Sequence, residues 1–89
     1  MHPTTQLSRS PDASFEVIAG EAILIHLKTG VYYSLNEVGT VFWNMLDGAR
    51  TIEDCAHKIA ADYEAPVEMV TSDLLELAQN LAKENLVES

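Results

Sequence analysis

The sequence predicts a small α+β domain of winged-helix-like form, in which a three-stranded antiparallel sheet is followed by three helices. Two observations carry that expectation. Between Ser14 and Leu35 the apolar residues come in short runs parted by turn signals, and from Asn36 onward they recur at the three-and-four spacing of helices. Length and composition bound it: 89 residues make one domain, and 47% hydrophobic residues are sufficient for a single modest core. A small sheet has one face to cover, and the helices must cover it.

Residues 1–12 are polar and carry Pro3 and Pro11, so they read as a flexible arm, leaving 13–89 as the folded domain. The first strand, Ser14 to Ile18, runs into a turn at Ala19-Gly20, and the second spans Glu21 to Leu27. Lys28-Thr29-Gly30 then reads as a three-residue hairpin loop, with glycine where a left-handed residue is needed, and Val31 to Leu35 forms the third strand. Pairing Leu27 with Val31 sets Ile25 opposite Tyr33 and Ile23 opposite Leu35. All six then share one face, and His26 alternates to the other.

Asn36 is a good N-cap for a helix over 37–47, with Gly48 just past its end. Val38, Val41, Phe42, Met45 and Leu46 give this helix a broad apolar face, and Gly39 in its first turn implies close packing against another backbone. Thr51-Ile52-Glu53-Asp54 reads as a capping box opening a second helix over 52–63. Pro66 suits the first turn of a third helix over 66–84, whose stripe is Val67, Val70, Leu74, Leu77, Ala78 and Leu81. Asn85 suits the left-handed position after that helix, with Leu86 packing back.

The charge excludes whole classes of function. A formal net charge of −9 repels phosphate backbones and anionic bilayers, which argues against nucleic-acid and membrane partners. The third helix carries Glu68, Asp73, Glu76 and Glu84 against Lys83, the wrong sign for a DNA recognition helix. With one cysteine, no secretory pattern and no apolar run of about 20 residues, the expected location is the cytoplasm. His2, His26 and His57 match no metal spacing, Cys55 reads as core, and neither a phosphate loop nor a nucleophile elbow is present. The expectation is therefore a chain that is not an enzyme, with no metal and no cofactor.

What remains is a binding surface. If the sheet order follows the sequence, the third strand is an edge, and Val31-Tyr32-Tyr33-Ser34-Leu35 contains neither the lysine nor the proline that usually blunts one. Such an edge accepts an added peptide strand. The third helix presents Asp73 and Glu76 beside Val70, Leu74 and Leu77, so a groove between it and this strand has apolar walls and an acidic rim. The candidate peptide-binding residues are Val31, Tyr32, Tyr33, Ser34, Leu35, Val67, Val70, Asp73, Leu74 and Leu77. The alternative is a small winged-helix adaptor or regulator acting by protein–protein contact.

The segment TGVYYSLNEVGTVFWNMLDG resembles the pattern T-G-x-Y-Y-x-L-N-x-x-G-x-x-x-W-x-x-L-x-G of the PqqD-like proteins. Arg50-Thr51-Ile52-Glu53 and the closing Leu81…Leu86-Val87 fit as well, so the likeness covers about 14–88, with Asn85 standing where the family often has glycine. The resemblance implies the RiPP recognition element, a fold serving ribosomally made, post-translationally modified peptides. Members bind the leader of a precursor peptide as an extra strand on the third strand, against the third helix. They then present it to a separate enzyme: a radical-SAM protein in the pyrroloquinoline quinone pathway, or a leader-cleaving cysteine protease in lasso-peptide biosynthesis.

Overall fold

The computed structural model describes residues 1–89. In chain order the elements are β1 (Gln6–Arg9), β2 (Ala13–Ile18), β3 (Glu21–His26), β4 (Tyr32–Ser34), α1 (Glu37–Asn44), β5 (Asp47–Thr51), α2 (Ile52–Tyr63), α3 (Val67–Lys83) and β6 (Val87–Glu88). The strands form two antiparallel sheets, ordered β2-β3-β4 and β5-β1-β6. The expected sheet and three helices are all present, and the expected third strand, β4, is an edge. The second sheet is additional.

That second sheet corrects the reading of the N-terminal residues as an arm. Strand β1 pairs with β5 on one side and β6 on the other, and Leu7 is 1% exposed within the core. Lone apolar residues, Leu7 in β1 and Val87 in β6, tie this polar-looking sheet to the interior.

The β3–β4 hairpin also differs from expectation. Its register pairs Ile25 with Tyr32, Leu24 with Tyr33 and Ile23 with Ser34. The His26 N–H donates to the Val31 carbonyl at 2.9 Å, so Leu27–Gly30 form a four-residue loop, with Gly30 left-handed as its position requires. A slip of one residue turns every β3 side chain over. Ala22, Leu24 and His26 are buried, while Ile23 and Leu27 are exposed.

Two contacts explain the choice. The Ala22 N–H donates to Thr40 Oγ1 at 2.8 Å, and small Ala22 lets α1 approach β3. His26 Nδ1 accepts from the Lys28 and Thr29 N–H groups at 3.2 and 3.3 Å, so this buried imidazole is satisfied by its own loop.

Helix α1 is capped by Asn36, whose Oδ1 accepts from the Gly39 N–H at 2.8 Å, and it stops at Asn44, short of the expected residue 47. Asp47 Oδ1 accepts from the Ala49 and Arg50 N–H groups, a turn that ends the helix and starts β5. Those same donors hold the Asp47 carboxyl below its usual range.

Helix α2 begins as expected. Thr51 Oγ1 accepts from the Asp54 N–H and Asp54 Oδ2 accepts from the Thr51 N–H, both at 3.0 Å, and the Thr51 N–H, with the Thr51 hydroxyl beside it, lowers the Asp54 pKa. We expect Thr51→Ala to cost about 1 kcal/mol, read as a drop of several degrees in the melting temperature. A depressed carboxylate stabilises the fold above its unfolded pKa, and that contribution is lost as pH falls through the folded pKa. The difference between Asp54→Asn and the parent in a melting series should therefore shrink below about pH 4.

Helix α3 ends as its sequence predicts. Asn85 is left-handed at φ 58°, the Leu86 N–H donates to the Leu81 carbonyl at 2.9 Å, and the Asn85 N–H donates to the Ala82 carbonyl at 3.0 Å. Leu86 is fully buried, and Val87 continues into β6. The core gathers Trp43, Phe42, Leu24, Ile52, Ile59, Leu74 and Leu81 between the sheets and helices. Phe15 meets Trp43 edge to face at 5.7 Å, and the Arg9 guanidinium lies 5.3 Å from the Phe15 ring centroid.

Candidate functional site: an edge strand beside an acidic groove

A groove of about 450 Å³ lies between β4 and the middle of α3. Tyr33, Ser34 and Leu35 form one bank, and Asp73, Leu74, Glu76, Leu77 and Asn80 form the other. Asn36, Val38 and Gly39 close the end at the start of α1. Gly39 is there for space: a Cβ on it would lie 3.2 Å from Asn36 Oδ1 and 3.4 Å from both Leu35 Cβ and Leu77 Cδ2. The close neighbours are therefore side chains, not the second backbone that the sequence implies. Tyr63 donates to Glu37 Oε2 at 2.8 Å, which ties the end of α2 to this end of α1 and pushes the Tyr63 pKa up.

The hydrogen bonding of β4 decides what its free side offers. The Leu35 N–H donates to the Ala22 carbonyl at 2.8 Å, and the Val31 carbonyl accepts from His26. Residues 31 and 35 thus face β3, and with a period of two so does Tyr33. The N–H and C=O groups of Tyr32 and Ser34 point away from the sheet, into the space beside α3. No strand pairs with β4 on that side.

Electrostatically the groove is one-signed. Asp73 and Glu76 are exposed on its rim, and no lysine or arginine lines it. Apolar walls and two carboxylates suit a segment with apolar anchors and basic neighbours, and an open edge suits an extended backbone. Cys55 is fully buried in the core, where desolvation pushes its thiol up and away from the reactive thiolate.

Of the sequence-predicted residues, the fold brings Tyr33, Ser34, Leu35, Asp73, Leu74 and Leu77 together. The side chains of the other four lie outside the groove. Val31 turns its backbone toward β3 and its N–H meets Thr29 Oγ1 at 3.3 Å. Tyr32 stands on the outer face of the sheet, 71% exposed. Val70 is a core residue at 6% exposure, and half-buried Val67 lines a separate hollow with Glu53 and His57. Sequence reasoning missed Asn36, Val38, Gly39 and Asn80 as lining residues. Asn80 was within reach, since 73, 76, 77 and 80 fall on one helical stripe.

The family profile of coenzyme PQQ synthesis protein D (PqqD) matches residues 21–87. The chain belongs to the PqqD family. Two solved structures resemble this PqqD-family chain over nearly its full length. TbiB1 in complex with the TbiA(beta) leader peptide is 30% identical, with a TM-score of 0.83, over 92% of this chain and 95% of that one. A lasso peptide synthetase B1 complexed with the leader peptide is 20% identical, with a TM-score of 0.78, over 94% of this chain and 99% of that one, a likeness of fold. None of the curated proteins matches. No helix of this PqqD-family chain is long and apolar enough to cross a membrane.

Proposed function

We propose that this chain is a leader-peptide chaperone, a RiPP recognition element that holds the leader of a ribosomal precursor peptide. The leader adds as a strand to the free edge of β4, lies against α3, and is presented to a separate enzyme. The observation that carries this reading is the open edge of β4 beside the apolar, acid-rimmed groove. Its 30%-identical structural neighbour is a protein in complex with a leader peptide. The chain itself performs no chemistry in this reading. It works in the cytoplasm beside a leader-cleaving cysteine protease of the lasso type or a radical-SAM enzyme of the pyrroloquinoline quinone type.

The physical division of labour is simple. Main-chain bonds to Tyr32 and Ser34 supply affinity that is indifferent to sequence, and the pocket formed by Tyr33, Leu35, Val38 and Leu77 fixes register through an apolar anchor. Asp73 and Glu76 attract basic leader residues. Ordering a disordered leader costs roughly 2–5 kcal/mol, which sets the expected Kd near the micromolar range, about −8 kcal/mol.

The test is a titration, at two salt concentrations, of fluorescent leaders taken from any short precursor genes that neighbour the gene for this chain. We expect saturable binding, and Asp73→Lys should weaken a basic leader about three- to tenfold at low salt, with the difference shrinking at high salt as the rim charge is screened. Saturable binding that ignores both the charge reversal and the salt would remove the acidic rim from the account. No binding of any neighbouring leader would favour the adaptor alternative.

A further inference from the structure

An added strand at β4 has two sides. Its residues opposite Tyr33 and Leu35 project toward the groove, and those opposite Tyr32 and Ser34 project to the outer face of the sheet. That outer face carries an apolar strip of Ile18, Ile23, Ile25 and Tyr32 bordered by Ser14, Glu16, Glu21 and Ser34. Tyr32 pairs with Ile25 in the register, and Ile23 follows along β3. With Ser14, Phe15 and Glu16 they line a hollow of about 620 Å³. The face is uncovered: Ile23 is 40% exposed, Ile18 56% and Tyr32 71%.

We propose that the leader is read from both sides, with an apolar or aromatic residue opposite Tyr32 packing on Tyr32 and Ile25 while its immediate neighbours enter the groove. This rests on the leader-binding reading and adds a specificity-determining residue to it, Tyr32. Three observations support the leader as occupant. The patch is continuous with the β4 edge that would take the added strand, because Tyr32 contributes outward backbone groups to that edge and its ring to the hollow. A second copy of this chain is disfavoured by a net charge of −9 on each. The one charged residue lining the hollow is Glu16, which accepts an apolar or basic occupant and repels an acidic one. Peptides of this class therefore carry apolar residues at adjacent positions, one for each face, where a one-sided groove selects them only at alternate positions.

The experiment is selection of a displayed library of randomised 12-residue peptides on the parent, Tyr32→Ser, Tyr32→Phe and Ser34→Pro proteins, each first shown to be folded by circular dichroism. On the parent we expect apolar enrichment at adjacent positions. Tyr32→Ser should lose one of the two alternating sets by at least about threefold, as expected for removing an aromatic cross-strand pair, and Tyr32→Phe should keep both. Enrichment of a single alternating set, or a pattern unchanged by Tyr32→Ser, overturns the proposal and leaves the outer face to another protein, while the groove reading survives if Ser34→Pro still abolishes selection. A selection on the parent that Ser34→Pro leaves intact, or none at all, removes the leader-strand reading and this proposal with it.

Discussion

Ser34→Pro is expected to weaken leader binding at least about tenfold while the domain stays folded. Proline deletes the Ser34 N–H, one of the outward donors of β4, and sets its ring where the added strand must approach. An edge position whose N–H faces solvent is where a sheet tolerates proline, so the fold should persist. A lost hydrogen bond contributes about 0.5–1.5 kcal/mol, and the steric conflict adds to it; tenfold corresponds to about 1.4 kcal/mol. Val31→Pro is the informative contrast. The Val31 N–H meets Thr29 Oγ1 and its carbonyl serves His26, so that substitution strains the hairpin loop and leaves the outward donors in place. A companion measurement keeps the protein unaltered: leaders N-methylated at alternate residues should fall into a binding and a non-binding set. Equal binding by both sets would eliminate strand addition.

Leu7→Ala is expected to destabilise the domain by about 2–5 kcal/mol, the range for truncating a fully buried leucine. Leu7 is 1% exposed, on the strand that joins β5 to β6, so the cavity opens where one sheet meets the core. Stability of a domain this small is itself of order 5–15 kcal/mol at most, so urea denaturation should show a large fall in midpoint. A flexible arm predicts no change, and an unaltered midpoint would restore that expectation.

Much of the helical half was legible because local signals agree there. The capping box at Thr51, the unbroken stripe of α3 and the left-handed Asn85 each name a helix end or face by short-range chemistry. The β3–β4 hairpin was legible in existence and order but not in register. Residues 22–27 are apolar at nearly every position, so alternation does not choose a face, and larger Ile23 and Ile25 outweigh small Ala22 by eye. What chooses is tertiary: α1 needs a small residue at Ala22, and the loop amides satisfy His26 inside. The second sheet was hidden because its strands carry one apolar anchor each or none, and its pairings span distances no window covers. At the site, the same causes act. Tyr33, Leu35, Asp73 and Leu77 follow from strand and helix periodicity, while Val38 and Gly39 join the groove only because α1 crosses its end.

The pairing of β1 with β6 joins residues near the two ends of the sequence, Arg9 opposite Val87. Closing so long a loop has a large entropic cost that local helix formation does not offset in advance. The central strand of this sheet must therefore wait for the last strand to be made. During folding, α2 and α3 can form and dock while β1 still lacks one neighbour, and the second sheet closes only when residues 87–88 pair with β1. A chain truncated after Leu86 should be protease-sensitive at its N-terminal residues, and restoring Val87 and Glu88 should protect them.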